Sequence, residues 1–122
     1  MRVLIADDQR SVGSTLSAMV EKCQHEVVAV VGSGLEAIQA YTQHHPDVVL
    51  MDYAMPRLNG ATACRNILAR HPDARIILVS GNVLTKEISE SGAVAILSKP
   101  VTMDRLYTVL YDAGGTTGKS PV

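Results

Sequence analysis

The sequence predicts an α/β domain, in which a doubly wound sheet of five parallel strands carries five helices on its two faces. Five short apolar runs alternate along the chain with five segments of helical periodicity. The runs are rich in β-branched residues and apolar without interruption, which is typical of strands buried on both faces of a parallel sheet. A length of 122 residues, 47% of them hydrophobic, suits one globular domain with its own core.

The first part of the chain holds three predicted strands and two predicted helices. The strands are residues 3–6, 27–31 and 48–51. Between the first two strands, Val12, Leu16 and Val20 fall on one face of a helix. Ser33 and Glu36 have the spacing of a capping box, in which side chains satisfy the free N–H groups that open a helix. The second helix is therefore expected to begin there.

The second part of the chain holds two more strands, which are residues 76–79 and 94–97. The third helix precedes them and ends near Pro72, because proline cannot continue a helix. A short, weak fourth helix is expected within residues 84–91, because Ser89, Ser91 and the following Gly92 are poor helix formers. Thr102 is expected to cap the fifth helix, and Gly114 and Gly115 to end it.

Composition and charge exclude several classes of protein. The 11 Lys and Arg residues against 12 Asp and Glu give a formal charge of -1, without the basic surface of a nucleic-acid-binding domain. No run approaches the roughly 20 apolar residues of a membrane-spanning helix, and the apolar run at the start is too short for a signal peptide. We therefore expect a soluble, cytoplasmic protein that contacts neither nucleic acid nor membrane directly.

The boundary of the domain is expected near residue 112. Residues 1–112 contain all of the predicted strands and helices. Residues 113–122 are rich in Gly, Thr and Ser, a composition typical of flexible segments. They are predicted to form a flexible tail or the stub of a linker.

Polar side chains stand where four of the predicted strands end. Asp7 and Asp8 follow the first strand, Asp52 the third, Ser80 the fourth and Lys99 the fifth. Ligands of doubly wound sheets bind at the carboxyl ends of the strands, so these side chains are expected to converge. Three carboxylates close together repel one another unless a cation joins them, and Mg²⁺ is a hard ion that takes carboxylate oxygens together with a phosphate. A carboxylate attacking phosphorus beside a lysine and a hydroxyl would give an aspartyl phosphate.

Four motifs at these strand ends resemble those of a known family. They are Ile5-Ala6-Asp7-Asp8, the ten residues from Met51 to Gly60, Ser80-Gly81, and Gly92-Ala93 leading into Leu97-Ser98-Lys99-Pro100. Together they make the chain similar to response-regulator receiver domains of two-component signalling, the CheY-like superfamily, over about residues 1–112. The resemblance implies a flavodoxin-like fold with strand order 2-1-3-4-5.

The resemblance also implies a role for each of the three aspartates Asp7, Asp8 and Asp52, which we call the acidic cluster. Asp52 is expected to be the phosphoacceptor. Asp8 and Asp52 are expected to ligate Mg²⁺ directly, and Asp7 partly through water. The backbone carbonyl of Ala54 would be a further metal ligand.

Three more residues take family roles by the same resemblance. Ser80 and Lys99 match the hydroxyl and the lysine that contact the phosphoryl group, and Ser80 is also expected to move when the signal is switched. Pro100 matches a proline that follows the lysine through a cis peptide bond.

The family resemblance implies a regulatory phosphoacceptor rather than an enzyme. The phosphoryl donor would be a histidine kinase or a histidine phosphotransfer protein, and the domain would assist its own phosphorylation and dephosphorylation. An effector domain is a possible C-terminal neighbour in a longer chain. The domain is expected to be a monomer or a phosphorylation-dependent dimer.

Two features depart from the family pattern and concern how the signal leaves the domain. The switch position, where the family commonly has Tyr or Phe, is Ile96, and the alternative is an isoleucine buried against the fourth helix. The stretch from Ser80 to Lys99 is also about one helical turn shorter than is usual in the family. The expected output face is therefore atypical.

Two alternative functions remain open at this point. Gly32-Ser33-Gly34 satisfies a relaxed dinucleotide-binding fingerprint, with Asp52 at about the distance of a ribose-binding acid, so a dinucleotide-dependent oxidoreductase is one alternative. Against it, the first strand-to-helix turn carries Asp7 and Asp8, whose charge opposes a pyrophosphate. The other alternative is a receiver with a vestigial site that acts as an interaction module.

Overall fold

The computed structural model describes residues 1–81 and 85–114. Within these ranges the chain alternates strictly between strands and helices. The strands are β1 (Arg2–Ala6), β2 (Glu26–Val31), β3 (Val48–Asp52), β4 (Ile76–Ser80) and β5 (Ala95–Ser98). The helices are α1 (Arg10–Lys22), α2 (Gly34–His44), α3 (Gly60–Arg70), α4 (Lys86–Ser89) and α5 (Met103–Gly114).

The five strands form one parallel sheet in the order β2-β1-β3-β4-β5. This confirms the predicted doubly wound fold and its flavodoxin-like order. Strand β2 lies on one side of β1, and β3, β4 and β5 follow on the other side. Strands β1 and β3 are therefore parallel neighbours, and their carboxyl ends lie on the same edge of the sheet. That edge is where such sheets hold ligands.

Two apolar cores lie on the two faces of the sheet. Alternate residues of the central strands point to opposite faces, so Leu4 and Val49 belong to one core and Val3 and Val48 to the other. Helices α2 and α3 cover the first core together with Ile88 of α4. Helices α1 and α5 cover the second. Every residue of β3 and β4 is buried, as their continuous apolar sequences predict.

The edge strands differ from the sequence expectation. No residue of β2 is fully buried, and β5 buries only Leu97. Their runs are as apolar as those of the central strands, but each has a hydrogen-bonded neighbour on one side only. The expectation that all five runs are buried on both faces was therefore wrong for the two edges.

The predicted helix boundaries follow from local chemistry. Ser33 caps α2 by accepting a hydrogen bond from the Glu36 backbone N–H at 3.1 Å, which confirms the capping box. Thr102 Oγ1 accepts from the Arg105 backbone N–H at 3.3 Å and so caps α5. Helix α3 ends at Arg70, two residues before Pro72.

Helix α4 is even shorter than the sequence predicts. It has four residues and is capped by Thr85, whose side chain accepts from the Ile88 backbone N–H. The start of the predicted segment, residue 84, lies outside the described residues, as do residues 115–122 of the predicted tail. Helix α5 runs to Gly114, so the placement of a domain boundary near residue 112 stays a prediction.

Candidate functional site

Three carboxylates gather where β1 and β3 end side by side. Asp7 follows the last residue of β1, and Asp52 is the last residue of β3. Each of Asp7, Asp8 and Asp52 offers one carboxylate oxygen that lies within 4.8 Å of the oxygens offered by the other two. Asp7 is 3% exposed and Asp52 is 4% exposed, whereas Asp8 is open to solvent. The predicted convergence of the three side chains is therefore present.

Lys99 brings the positive charge to this cluster from the end of β5. Its Nζ donates a hydrogen bond of 3.1 Å to Asp52 Oδ1 and lies 3.9 Å from Asp7 Oδ2. The Lys99 backbone N–H donates to the carbonyl of Ser80 at 2.9 Å, which fixes the position of the lysine beside the end of β4. The Lys99–Pro100 peptide bond is cis. One ammonium group therefore faces two buried carboxylates.

The environment of Asp52 shifts its titration. Burial raises the pKa of the Asp52 carboxyl, because removal of water disfavours the charged form. The hydrogen bond from Lys99 opposes this and lowers the pKa, while the charges of Asp7 and Asp8 raise it further. Burial is the largest of these causes, so the pKa is raised overall. A positive charge held near Asp52 would favour its carboxylate form.

The donor set at the cluster fits a hard divalent cation. All of the candidate side-chain ligands are carboxylate oxygens, which Mg²⁺ prefers. The Oδ2 atom of Asp7 is buried and has no hydrogen-bond partner among the residues that the structure describes. A buried charged oxygen without such a bond is costly unless a cation or ordered water compensates it. The Oδ1 atom of Asp7 already accepts from the Gln9 backbone N–H at 2.8 Å, which orients the carboxylate.

Two other predicted site residues, Ser80 and Ala54, lie at the same edge of the sheet, and Ser80 is buried whereas Ala54 is exposed. Ser80 is the last residue of β4 and is 4% exposed. Ala54 is exposed in the loop after β3, two residues beyond Asp52. The register pairs Asp52 with Val79 and Ser80 with Ser98, so the ends of β3, β4 and β5 stand next to one another.

Sequence reasoning missed a polar contact beside the cluster. The Tyr53 hydroxyl donates a hydrogen bond of 2.6 Å to Glu87 Oε1 in α4. The Asn59 side-chain amide lies 3.2 Å from both carboxylate oxygens of Glu87 and donates to them. These partners are about 30 residues apart in the chain, and no motif connects them. Only the packing of α4 against the loop after β3 brings them together.

A family comparison decides what kind of domain this is. The model of the response regulator receiver domain matches residues 3–111. The chain belongs to that family. This receiver domain is 31% identical over 116 residues to the chemotaxis protein CheY of Listeria monocytogenes. The match covers 93% of this chain and 98% of that protein.

A larger relative matches only in part. The receiver domain is 39% identical over 107 residues to protein-glutamate methylesterase/protein-glutamine glutaminase 4 of Geobacter metallireducens. The match covers 82% of this chain but 30% of the relative. The similarity thus concerns the receiver portion alone and transfers no esterase activity to this chain. Receiver domains are regulatory parts of response regulators.

A solved structure supports the fold and the family's metal chemistry. The receiver domain of the sensor histidine kinase PA1611 from Pseudomonas aeruginosa PAO1 superposes with a TM-score of 0.85 at 25% identity. The superposition covers 93% of this chain and 97% of the other. That structure has a magnesium ion coordinated in its active-site cleft. Receiver domains bind Mg²⁺ at an acidic pocket, and this receiver domain has an aspartate cluster of that kind.

The dinucleotide alternative finds no support in the comparisons, and the local geometry of the receiver domain explains its glycines differently. A Cβ at Gly34 would lie 2.8 Å from the Leu58 carbonyl oxygen, so this glycine permits close packing of α2. Glu36 Oε1 accepts hydrogen bonds from the Gly32 backbone N–H and the Ser33 hydroxyl. A carboxylate therefore occupies the helix start where a pyrophosphate would have to bind.

Ile96 occupies the expected switch position on the surface of the receiver domain. Its side chain is 41% exposed and lines a groove of about 420 Å³ with residues of α5 such as Arg105 and Val109. The alternative of an isoleucine buried against the fourth helix was wrong. The reason is that β5 is an edge strand, so one face of it is only partly covered.

The helices of the receiver domain are short. No helix within residues 1–81 and 85–114 is long and apolar enough to span a bilayer.

Proposed function

We propose that this receiver domain takes a phosphoryl group onto Asp52 from a phosphohistidine in a histidine kinase or a histidine phosphotransfer protein, in a reaction that requires Mg²⁺. The observation that carries the proposal is the bond of Lys99 Nζ to Asp52 Oδ1 inside a cluster of three aspartates. A buried carboxylate that pairs with an ammonium and lies beside two other carboxylates is suited to attack a group that arrives with a metal ion.

The transfer forms one bond and breaks one. A carboxylate oxygen of Asp52 attacks phosphorus in line, and the new P–O bond forms as the P–N bond to the donor imidazole breaks. The imidazole nitrogen leaves with the electron pair of that bond and takes up a proton. The product is an aspartyl phosphate. The reaction needs Asp52 in its charged form, which the hydrogen bond from Lys99 favours.

The remaining site residues bind and orient the group that is transferred. Asp8 and Asp52 would hold the metal directly, Asp7 partly through water, and the Ala54 carbonyl would complete the protein ligands. Bound Mg²⁺ neutralises negative charge that develops on the phosphoryl oxygens. Lys99 pairs with one phosphoryl oxygen, which requires its ammonium to turn from Asp52 toward the new group.

Ser80 contributes the second contact to the phosphoryl group. It ends β4 next to Asp52 in the sheet, within the same row of strand ends. The Ser80 hydroxyl donates a hydrogen bond to a phosphoryl oxygen. As Ser80 moves to make this bond, the end of β4 shifts toward the site. Pro100 follows Lys99 through a cis peptide bond.

The domain acts as a regulator that assists its own chemistry. The aspartyl phosphate is lost slowly by hydrolysis at the same site, so the modified state is temporary. The modified state is read by a partner, by an effector domain in a longer chain, or by a second copy in a phosphorylation-dependent dimer. Ile96 lacks the ring usual at the switch position, so the output face is atypical.

Labelling by a small phosphodonor tests the acceptor. The protein is incubated with Mg²⁺ and acetyl phosphate, and intact mass spectrometry measures the gain of one phosphoryl group. Asp52→Asn should abolish the gain because its amide is a poor nucleophile, and removal of Mg²⁺ by a chelator should abolish it in the wild type.

The matched control for this test is Asp112→Asn, which makes the same chemical change on the exposed end of α5. It should label as the wild type does. Continued labelling of the Asp52→Asn variant, with its fold intact by circular dichroism, would falsify the assignment of the acceptor.

A further inference from the structure

Tyr53 lies at the junction of the acceptor strand with two other elements. Its backbone N–H donates to the Val79 carbonyl at 2.9 Å, which ties it to β4 one residue before Ser80. Its carbonyl accepts from the Gly60 N–H at 2.8 Å, which ties it to the first residue of α3. It also follows Asp52 directly in the chain. The backbone of Tyr53 is therefore fixed to the strand ends that hold Asp52 and Ser80.

The side chain of Tyr53 connects these strand ends to α4. Its hydroxyl donates to Glu87 at 2.6 Å, and the Asn59 amide donates to the same carboxylate. The bond joins the neutral phenol to the carboxylate of Glu87, whose pKa is lowered by the hydrogen bonds from Tyr53 and Asn59. A neutral donor thus faces a charged acceptor, and such hydrogen bonds are stronger than neutral ones.

Helix α4 has two side chains in contact with other elements that matter for this coupling, Glu87 and Ile88. It is four residues long and too short to be stable alone. Ile88 is its one buried residue and packs into the core shared with α2 and α3. Glu87 is the neighbour of Ile88 and carries the bonds to Tyr53 and Asn59. Among the residues that the structure describes, Ile88 and Glu87 therefore connect α4 to the core and to the loop after β3.

From these contacts we infer that Tyr53 is a positioning residue that couples Asp52 to α4 through Glu87, in place of a ring at position 96. This inference rests on the proposed function and adds the route by which the phosphorylated state reaches the surface. A phosphoryl group on Asp52 adds negative charge one peptide bond from Tyr53 and draws Ser80 and Lys99 toward it. The strand ends then shift, and the phenol moves Glu87 and the first turn of α4 with them.

Ile96 is unsuited to the same task. Its side chain is aliphatic, has no hydrogen-bonding group and is 41% exposed on β5. It offers no bond that could hold α4 in one position and release it in another. The phenol of Tyr53 is the nearest aromatic hydroxyl to Asp52 in the chain and has a charged partner on α4.

The test compares α4 in the wild type and in Tyr53→Phe, which keeps the ring and removes the hydroxyl. Both proteins are loaded with Mg²⁺ and beryllofluoride, a phosphoryl mimic, and the amide NMR shifts of residues 86–89 are followed. Loss of one hydrogen bond should change the balance between two positions of α4 about fivefold, so the α4 shifts should shrink by up to about fivefold. Labelling of Asp52 by acetyl phosphate should stay close to the wild-type extent.

Four further variants separate coupling from a general structural effect. Glu87→Gln keeps an acceptor oxygen for the phenol and should restore part of the α4 response that Glu87→Ala loses. The double variant Tyr53→Phe with Glu87→Ala should be no worse than Glu87→Ala alone, because Glu87→Ala already removes the acceptor of the phenol as well as that of Asn59. Tyr107→Phe makes the same chemical change on the exposed face of α5 and should leave the response unchanged.

The outcomes distinguish the two proposals. If wild-type Asp52 takes no label and no beryllofluoride, the proposed function falls and this inference falls with it. If the wild type responds and Tyr53→Phe gives the same α4 shifts, this inference alone is overturned. It is equally overturned if Ile96→Ala removes the α4 shifts while Tyr53→Phe preserves them.

Discussion

Gly60 controls how closely the chain returns to the acceptor residue. It begins α3, and its N–H donates to the Tyr53 carbonyl. A Cβ at this position would lie 2.9 Å from the Tyr53 Cα and would also overlap the Asp52 carbonyl oxygen. Both atoms belong to the backbone, so neither can turn aside as a flexible side chain could. The absence of a side chain at residue 60 therefore allows the loop after β3 to close against Asp52.

Gly60→Ala should destabilise the domain by about 3 kcal/mol, because overpacking against backbone forces strand β3 or helix α3 to move. Urea unfolding followed by circular dichroism measures the loss. Gly32→Ala is the matched control, since its Cβ would meet the flexible end of Glu36 at 3.7 Å, and it should cost far less. Similar losses for the two variants would contradict the close approach at Gly60.

The candidate site could be predicted in part because strand ends are visible in a sequence. Asp7, Asp52, Ser80 and Lys99 each follow or end an apolar run, and a parallel sheet brings such positions to one edge. The Tyr53–Glu87 bond could not be predicted this way, since neither residue is marked by periodicity or by a turn signal. It depends on where α4 rests, and that position depends on tertiary packing.

At the scale of elements, the order of strands and helices could be predicted, as could the burial of the central strands, but the exposure of the two edge strands could not. Continuous apolar runs indicate strands, but β2 and β4 look alike in sequence although one is an edge and the other is wholly buried. The difference depends on topology, because β2 has a single neighbour. The shortness of α4 could be predicted from its composition and from the reduced spacing between Ser80 and Lys99.

Helix α4 should loosen in acid through Glu87. The hydrogen bonds from Tyr53 and Asn59 lower the pKa of the Glu87 carboxyl. Its charged form therefore contributes its full stability at pH values above the usual pKa of a glutamate. That contribution is lost as pH falls through the lowered pKa. Hydrogen exchange at the amides of residues 86–89, corrected for intrinsic pH dependence, should therefore lose protection as pH falls below about 4.

The control variants for this acid transition lie within or next to α4. Glu87→Gln cannot gain a proton in this range and should abolish the transition. Glu90→Gln, at the exposed C-terminal cap of α4, should retain it. An unchanged transition in Glu87→Gln would show that another group is responsible.

At the scale of the whole molecule, the acidic cluster opposes folding unless a cation is present. The formal charge of the chain is -1, but three of the 12 acidic residues meet at one edge of the sheet, where Lys99 forms ion pairs with Asp7 and Asp52. Two of the three are buried, so water screens them poorly. The two cores on either face of the sheet hold the strand ends in place against this repulsion.

A bound divalent ion should therefore stabilise the entire fold, because it binds the native cluster and not the unfolded chain. When free Mg²⁺ exceeds its Kd about 100-fold, the free energy of unfolding should rise by about 2.7 kcal/mol, which corresponds to a Tm increase of about 10 °C for a domain of this size. Calorimetry with and without MgCl₂ measures the increase. NaCl at equal ionic strength is the control for simple screening and should give much less. Asp52→Asn should lose most of the Mg²⁺ effect and Asp112→Asn should keep it, whereas an equal rise with NaCl would mean that the cluster does not hold the ion.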